Sequence, residues 1–146
     1  MAITQAIANS FKKELLEGEH NFKSSGGDKF KIALYTSSAT LSAATTSFTA
    51  GNQVSNTGQY TSGGGKLTGN NTSVASGVAI VDFADRSFTG VTLTARGALI
   101  YNTSSTATNA AVCALDFGAD KTATSGTFTI QFPAFTTAAA ILRNSG

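Results

Sequence analysis

The chain has 146 residues, of which 41% are hydrophobic and only 12% are charged, a length that fits one domain with its own core. Its single cysteine, Cys113, excludes an internal disulfide. Ten basic and eight acidic residues give a net charge of +2, and the N-terminal lysines are interleaved with acidic residues, so no nucleic-acid partner is predicted.

An amphipathic helix is predicted at the N-terminus. Four apolar residues recur every fourth position, which places them on one face of a helix: Ile3, Ile7, Phe11 and Leu15. Good helix formers lie between them. Gly18 is a natural C-cap, because glycine readily adopts the left-handed conformation that ends helices. The sequence therefore predicts a helix from Thr4 to Glu17.

The hydrophobic period changes to two after the polar connector that ends at Asp28. Phe30, Ile32 and Leu34 alternate with residues of the opposite face, which predicts a half-buried strand over 29–35. The following segment, 37–77, is rich in Ser, Thr, Gly and Asn. It predicts exposed loops with short edge strands near 53–54 and 66–67.

The second half of the chain carries most of the predicted core. Its strand-like segments are 77–83, 91–95, 99–101, 112–117, 128–132 and 138–142. Short strands at about ten-residue spacing, with turn residues between them, indicate an antiparallel β-sandwich or barrel of jelly-roll type. The predicted class is mainly β, with a helix and connector at 1–24 and a β-sandwich domain at 25–146.

Residues that could carry catalysis or hold a metal are few. His20 is the only histidine, and Cys113 lies within an apolar strand, where an inert buried thiol is the favoured interpretation. Four aspartates follow predicted strands: Asp82, Asp85, Asp116 and Asp120. Their spacing is not that of a calcium loop, and aspartates that bond their own turn backbone explain them more simply. We predict no enzyme, no metal and no cofactor.

The apolar stripe of the predicted helix has two interpretations. The stripe packs on the sandwich of its own chain, or it docks in a groove of another subunit. Its terminal position and the polar connector 24–28 keep the second interpretation open. Ile3, Ile7, Phe11 and Leu15 are therefore the candidate partner-binding residues.

The sequence contains no signal for a membrane. No stretch approaches the ~20 apolar residues that cross a bilayer, so no membrane partner is predicted. The first ten residues lack the basic region of a signal peptide, which predicts synthesis in the cytoplasm. The low charge favours a surface that ends up against neighbouring molecules.

Five strings carry a resemblance to a known group of proteins. They are MAITQAIANSFK at 1–12, FKIALYT at 30–36, VDFAD at 81–85, ARGALIYN at 95–102 and LDFGADK at 115–121. In these strings, and nearly from end to end, the chain resembles small virion structural proteins of tailed bacteriophages. None of the strings encodes a chemical mechanism.

The resemblance implies a component of a virus particle. The first expectation is a capsid decoration, or cement, protein, made in the host cytoplasm and bound in many copies to the outer head shell. Its partners would be the major capsid protein and copies of itself, and multivalent contacts would resist internal DNA pressure. The alternatives are a tail or head-fibre component that recognises the host, and a small cell-wall hydrolase, whose chemistry needs two carboxylates across a cleft.

Overall fold

Two antiparallel sheets and one short helix make up residues 2–132 and 142–144, the part of the chain that this computed structural model describes. The elements in chain order are β1 (Ala6–Ile7), α1 (Asn9–Leu16), β2 (Phe30–Tyr35), β3 (Gly65–Lys66), β4 (Asn71–Ala75), β5 (Val78–Asp82), β6 (Arg86–Asn102), β7 (Ala110–Ile130) and β8 (Leu142–Asn144). The first sheet has the order β1-β7-β6-β2-β3 and the second the order β4-β5-β8. The mainly β, antiparallel, sandwich-like prediction is confirmed, and the sheets do not close into a barrel.

The centre of the first sheet is one long hairpin of β6, with 17 residues, and β7, with 21 residues. Its pairing runs from Arg86 opposite Ile130 to Asn102 opposite Ala110. The prediction of separate short strands over 91–95, 99–101, 112–117 and 128–132 is therefore wrong.

Bulges explain why the long hairpin looks interrupted in the sequence. Between the Ala95–Lys121 pair and the Gly97–Asp116 pair, β6 advances 97 − 95 = 2 residues and β7 advances 121 − 116 = 5. The extra β7 residues include Gly118, whose φ of 80° resembles that of a turn residue. A bulge absorbs additional residues and bends a strand without ending it.

The predicted helix from Thr4 to Glu17 is wrong in its first half, because α1 begins only at Asn9. Ile3 forms a parallel bridge with Leu41, and Ile7 pairs with Cys113 of β7. Residues four apart share a face in a strand as well as in a helix, so the apolar spacing fits both structures. Hydrogen bonds to the neighbouring chain segments decided between them.

The hydrophobic core is continuous from the N-terminal segment into the β-domain. Phe22 stacks on Phe30 of β2 with ring centroids 4.4 Å apart, and it also meets Phe11 of α1 at 5.9 Å. Ile3, Phe11 and Phe22 belong to the same buried cluster as the residues of β2, β6 and β7. The residues that the sequence assigned to 1–24 and to 25–146 thus share one core.

The segment 37–77 is mostly exposed, as predicted, but a few of its residues reach the core. The predicted short strand near 66–67 is confirmed by β3, which pairs with β2, whereas near 53–54 only an isolated bridge between Gln53 and Tyr35 forms. Tyr60, however, is fully buried, and its hydroxyl accepts a hydrogen bond of 2.8 Å from the backbone N–H of Leu34. Residues 37–64 therefore form an irregular cover over the core.

The second sheet is a small hairpin with one added strand. Ser76 and Gly77 join β4 to β5 with φ values of 52° and 76°, the two positive values that a type I′ turn requires. The predicted strand over 138–142 lies outside the described residues except for Leu142, which begins β8 and pairs with Val81. All five residues of β4 are exposed, so β4 is a solvent-facing edge.

Tyr60→Phe tests how the irregular cover is attached. The substitution keeps the ring but leaves the buried Leu34 N–H without its acceptor, so we expect the free energy of unfolding to fall by about 1–2 kcal/mol. Urea denaturation measures the change. Thr124→Ala, on an exposed position of β7, serves as the control with a change below about 0.5 kcal/mol. Equal effects of the two substitutions would contradict the assignment.

Candidate functional site: an apolar groove beside the helix

A groove of about 530 Å³ lies between α1 and the second sheet. It is lined on one side by Ile7, Phe11, Lys12, Leu15, Leu16 and Phe22, and on the other by Thr72, Ser73, Ala79, Ile80, Val81 and Leu142. Its volume is within the range of about 300–1,000 Å³ that is typical of binding sites, and its lining is mainly apolar. We call this feature the helix groove.

Three of the four residues predicted to bind a partner line the helix groove. Ile7 lines it together with Phe11, which is 3% exposed, and Leu15, which is 38% exposed. Ile3 does not belong to it. A Cβ atom added at Gly97 would lie 2.8 Å from the Ile3 Cδ1 atom, so Ile3 packs directly on the β6 backbone.

Leu16 is the residue of the helix groove that the sequence pattern missed. It is 91% exposed, the highest exposure of any large hydrophobic residue in the described part of the chain. The fourfold spacing selects Leu15, and the next residue lies about 100° further around the helix. The pair of consecutive leucines could have indicated an exposed apolar residue. A helix with a single apolar face can bury only one of two neighbouring residues.

A buried hydrogen-bond network holds α1 against the hairpin. The His20 Nε2 atom lies 3.0 Å from the Glu14 Oε1 atom of α1, and the His20 Nδ1 atom lies 2.9 Å from the Asn102 Nδ2 atom at the end of β6. The His20 ring also meets Phe11 with centroids 4.7 Å apart. The wall of the helix groove is therefore fixed by contacts with the central hairpin.

The partners of Asn102 determine the orientation of its amide. Its Oδ1 atom accepts hydrogen bonds from the backbone N–H groups of Ser104 and Ser105, and its Nδ2 atom donates to the Asp28 Oδ2 atom. The second Nδ2 hydrogen then points to His20 Nδ1, which must accept it. Neutral His20 accordingly carries its proton on Nε2 and donates it to Glu14.

Asn102→Asp tests this network. The new carboxylate would face two acceptors, Asp28 and the His20 Nδ1 atom, where the amide donated to both. We expect a loss of about 2–4 kcal/mol in the free energy of unfolding, measured by urea denaturation at pH 7. Asn56→Asp is the matched control, because the Asn56 Oδ1 atom accepts the Ser62 N–H and aspartate keeps that bond. Similar stabilities of the two variants would show that the network does not operate as described.

Three of the residues considered for catalysis are buried or hydrogen-bonded to the backbone. Cys113 is buried, and burial raises the pKa of its thiol to about 12, which disfavours the thiolate at neutral pH. The Asp116 Oδ1 atom accepts the N–H of Gly118 two residues on, which confirms the predicted self-bonding, but this segment is a bulge within β7 and not a turn. The buried Asp82 accepts the N–H of Phe83, and burial raises the pKa of its carboxyl group.

The described residues bring no metal site or nucleophile–base pair together. Within 2–132 and 142–144, no group of three or more His, Cys, Asp or Glu residues has a metal-binding arrangement. Both ring nitrogens of His20 are engaged by Glu14 and Asn102. The helix groove is consequently the feature on which a function can be argued.

Alkaline pH is expected to destabilise the fold through Cys113. The folded thiol has a pKa of about 12 against an ordinary 9.0, so above pH 9 the unfolded chain holds fewer protons and stability falls. Burial likewise raises the pKa of Tyr60 to about 12. Cys113→Ala should delay the onset from about pH 9 to about pH 10, where the tyrosines begin to contribute.

Urea denaturation at several pH values between 8 and 11 measures the alkaline effect. The difference in stability between the natural chain and Cys113→Ala should shrink by up to about 1.4 kcal/mol for each pH unit above 9. A difference that stays constant across this range would show that the thiol ionises equally in both states.

Comparison with known proteins does not assign this chain to a family. No protein-family profile, curated protein or solved structure matches this chain. Among the described residues, no helix has the length and apolar character needed to cross a membrane, since α1 has eight residues.

Proposed function

We propose that this chain is a structural protein of a tailed-bacteriophage particle and that it decorates the outer surface of the head shell. The observation that carries the proposal is the helix groove with the exposed Leu16 beside it. An open apolar surface of this kind is typical of a protein contact. The resemblance of the sequence strings to small virion proteins supplies the context.

The structure that supports the groove is held in place by strand pairing and hydrogen bonds, which suits a protein that binds through a preformed surface. The hairpin of β6 and β7 pairs from Arg86–Ile130 to Asn102–Ala110, and the His20 network joins α1 to it. A rigid surface loses little conformational entropy when it binds. Many weak contacts of identical copies around a shell then combine into stable attachment.

The hydrogen bonds of two aspartates favour a structural role over the alternative of a cell-wall hydrolase. Asp116 is engaged by the Gly118 N–H and lies 3.4 Å from the Arg96 Nε atom, while Asp85 accepts the N–H of Phe132. Glycoside hydrolysis needs one free carboxylic acid and one free carboxylate on opposite sides of a substrate cleft. These side chains instead bond the backbone of a bulge within β7 and of the residues that follow β7.

Labelling of purified particles tests the proposed location. Antibody against the chain, detected by electron microscopy, should mark the head facets in many copies, and particles assembled without the chain should release DNA at a lower temperature than complete particles. Adding back the purified protein should restore the release temperature. Label confined to the tail, or identical release temperatures with the chain present and absent, would overturn the proposal.

A further inference from the structure

We propose that the helix groove is filled by a second copy of this chain in a two-fold symmetric dimer. In this dimer, Leu16 of each copy inserts into the groove of the other. The inference rests on the proposed function, since it names one of the contacts through which a particle protein would form multimers.

The position of Leu16 supplies the first argument. Leu16 lies at the rim of the groove that Phe11 and Leu15 help to form, so the projecting side chain and the cavity are on the same patch. A two-fold contact joins one patch to an identical patch, which requires that the patch contain both a projection and its recess. Because the two-fold axis repeats the contact, both Leu16 side chains of the dimer are buried.

The charges of α1 supply the second argument. Lys12 lines the groove and has no ion pair within residues 2–132 and 142–144, whereas Lys13 pairs with Glu17 at 2.7 Å. When two α1 helices cross antiparallel near Leu15, Lys12 of each copy lies towards the C-terminal end of the other helix. The partial negative charge of that end favours a lysine there. The Glu17 carboxylate, which pairs with Lys13 of its own helix, would be shared with the incoming lysine.

The low surface charge favours the same partner. A standard interface buries about 800 Å² on each protein, which is roughly a ninth of the 7212 Å² that this chain exposes. The lining of the groove carries one charged side chain in each copy, Lys12. Two copies therefore pay little desolvation cost when they meet.

Sedimentation equilibrium of the purified chain tests the dimer. We expect the natural chain to dimerise and Leu16→Asp to weaken dimerisation at least about 30-fold, the size of a hot-spot residue. Thr124→Asp introduces the same charge on an exposed part of β7 outside the groove and should leave dimerisation unchanged. Circular dichroism should show both variants folded, because each replaced side chain is exposed.

A charge exchange tests the two-fold arrangement itself. Lys12→Glu and Glu17→Lys should each weaken dimerisation, and the double variant should restore it, because position 12 of one copy then again meets an opposite charge at position 17 of the other. Additive losses in the double variant would overturn the antiparallel arrangement. A natural chain that stays monomeric at every concentration, or a Leu16→Asp variant that dimerises normally, would overturn the inference.

These outcomes separate the inference from the proposed function. A chain that labels the heads but does not dimerise through Leu16 retains the decoration role and loses the dimer. The helix groove would then belong to another occupant, such as an apolar segment of the shell. A chain that dimerises through Leu16 but is absent from the heads retains the dimer and loses the decoration role.

Discussion

The continuous pairing of β6 with β7 is the constraint on which the rest of the first sheet depends. β2 joins β6 only along Gly97–Asn102, β1 joins β7 only at Cys113 and Ala114, and β3 reaches the sheet through β2. Each of these strands has few hydrogen bonds of its own, and short strands are marginal without a partner that is already ordered. Bulges keep the hairpin continuous through sequence that is rich in glycine and polar residues.

The aromatic and polar contacts of the N-terminal segment hold α1, and with it the helix groove, against the β6–β7 hairpin. An eight-residue helix is too short to be stable alone in water, so α1 forms because Phe11 enters the core and Glu14 bonds to His20. His20 reaches the hairpin through Asn102, whose amide is fixed by four hydrogen bonds. The groove is thus preformed, and a binding partner would not have to order it.

Low charge and an exposed leucine have a common consequence for function. A free protein with 12% charged residues has little electrostatic repulsion to keep its copies apart, and Leu16 adds a local apolar surface. Both features weaken solubility in dilute solution and strengthen association at high local concentration. The proposed particle protein would use the second effect, because its copies are concentrated on one surface.

The sequence by itself determined the β class, the position of the strand β2, the burial of Cys113 and the self-bonding of Asp116, because these follow from local period, burial preference and side-chain chemistry. It did not determine that both faces of β2 are buried or that Asp116 lies in a bulge and not in a turn. It also marked Ile7, Phe11 and Leu15, although it assigned them all to one helix. Only the tertiary structure decided that Ile3 and Ile7 are extended, since a spacing of four fits both periods and the choice depends on the bonding edge of β7 and the backbone of Leu41. The exposure of Leu16 was likewise undetermined, because two adjacent leucines differ only in which of them the folded core leaves uncovered.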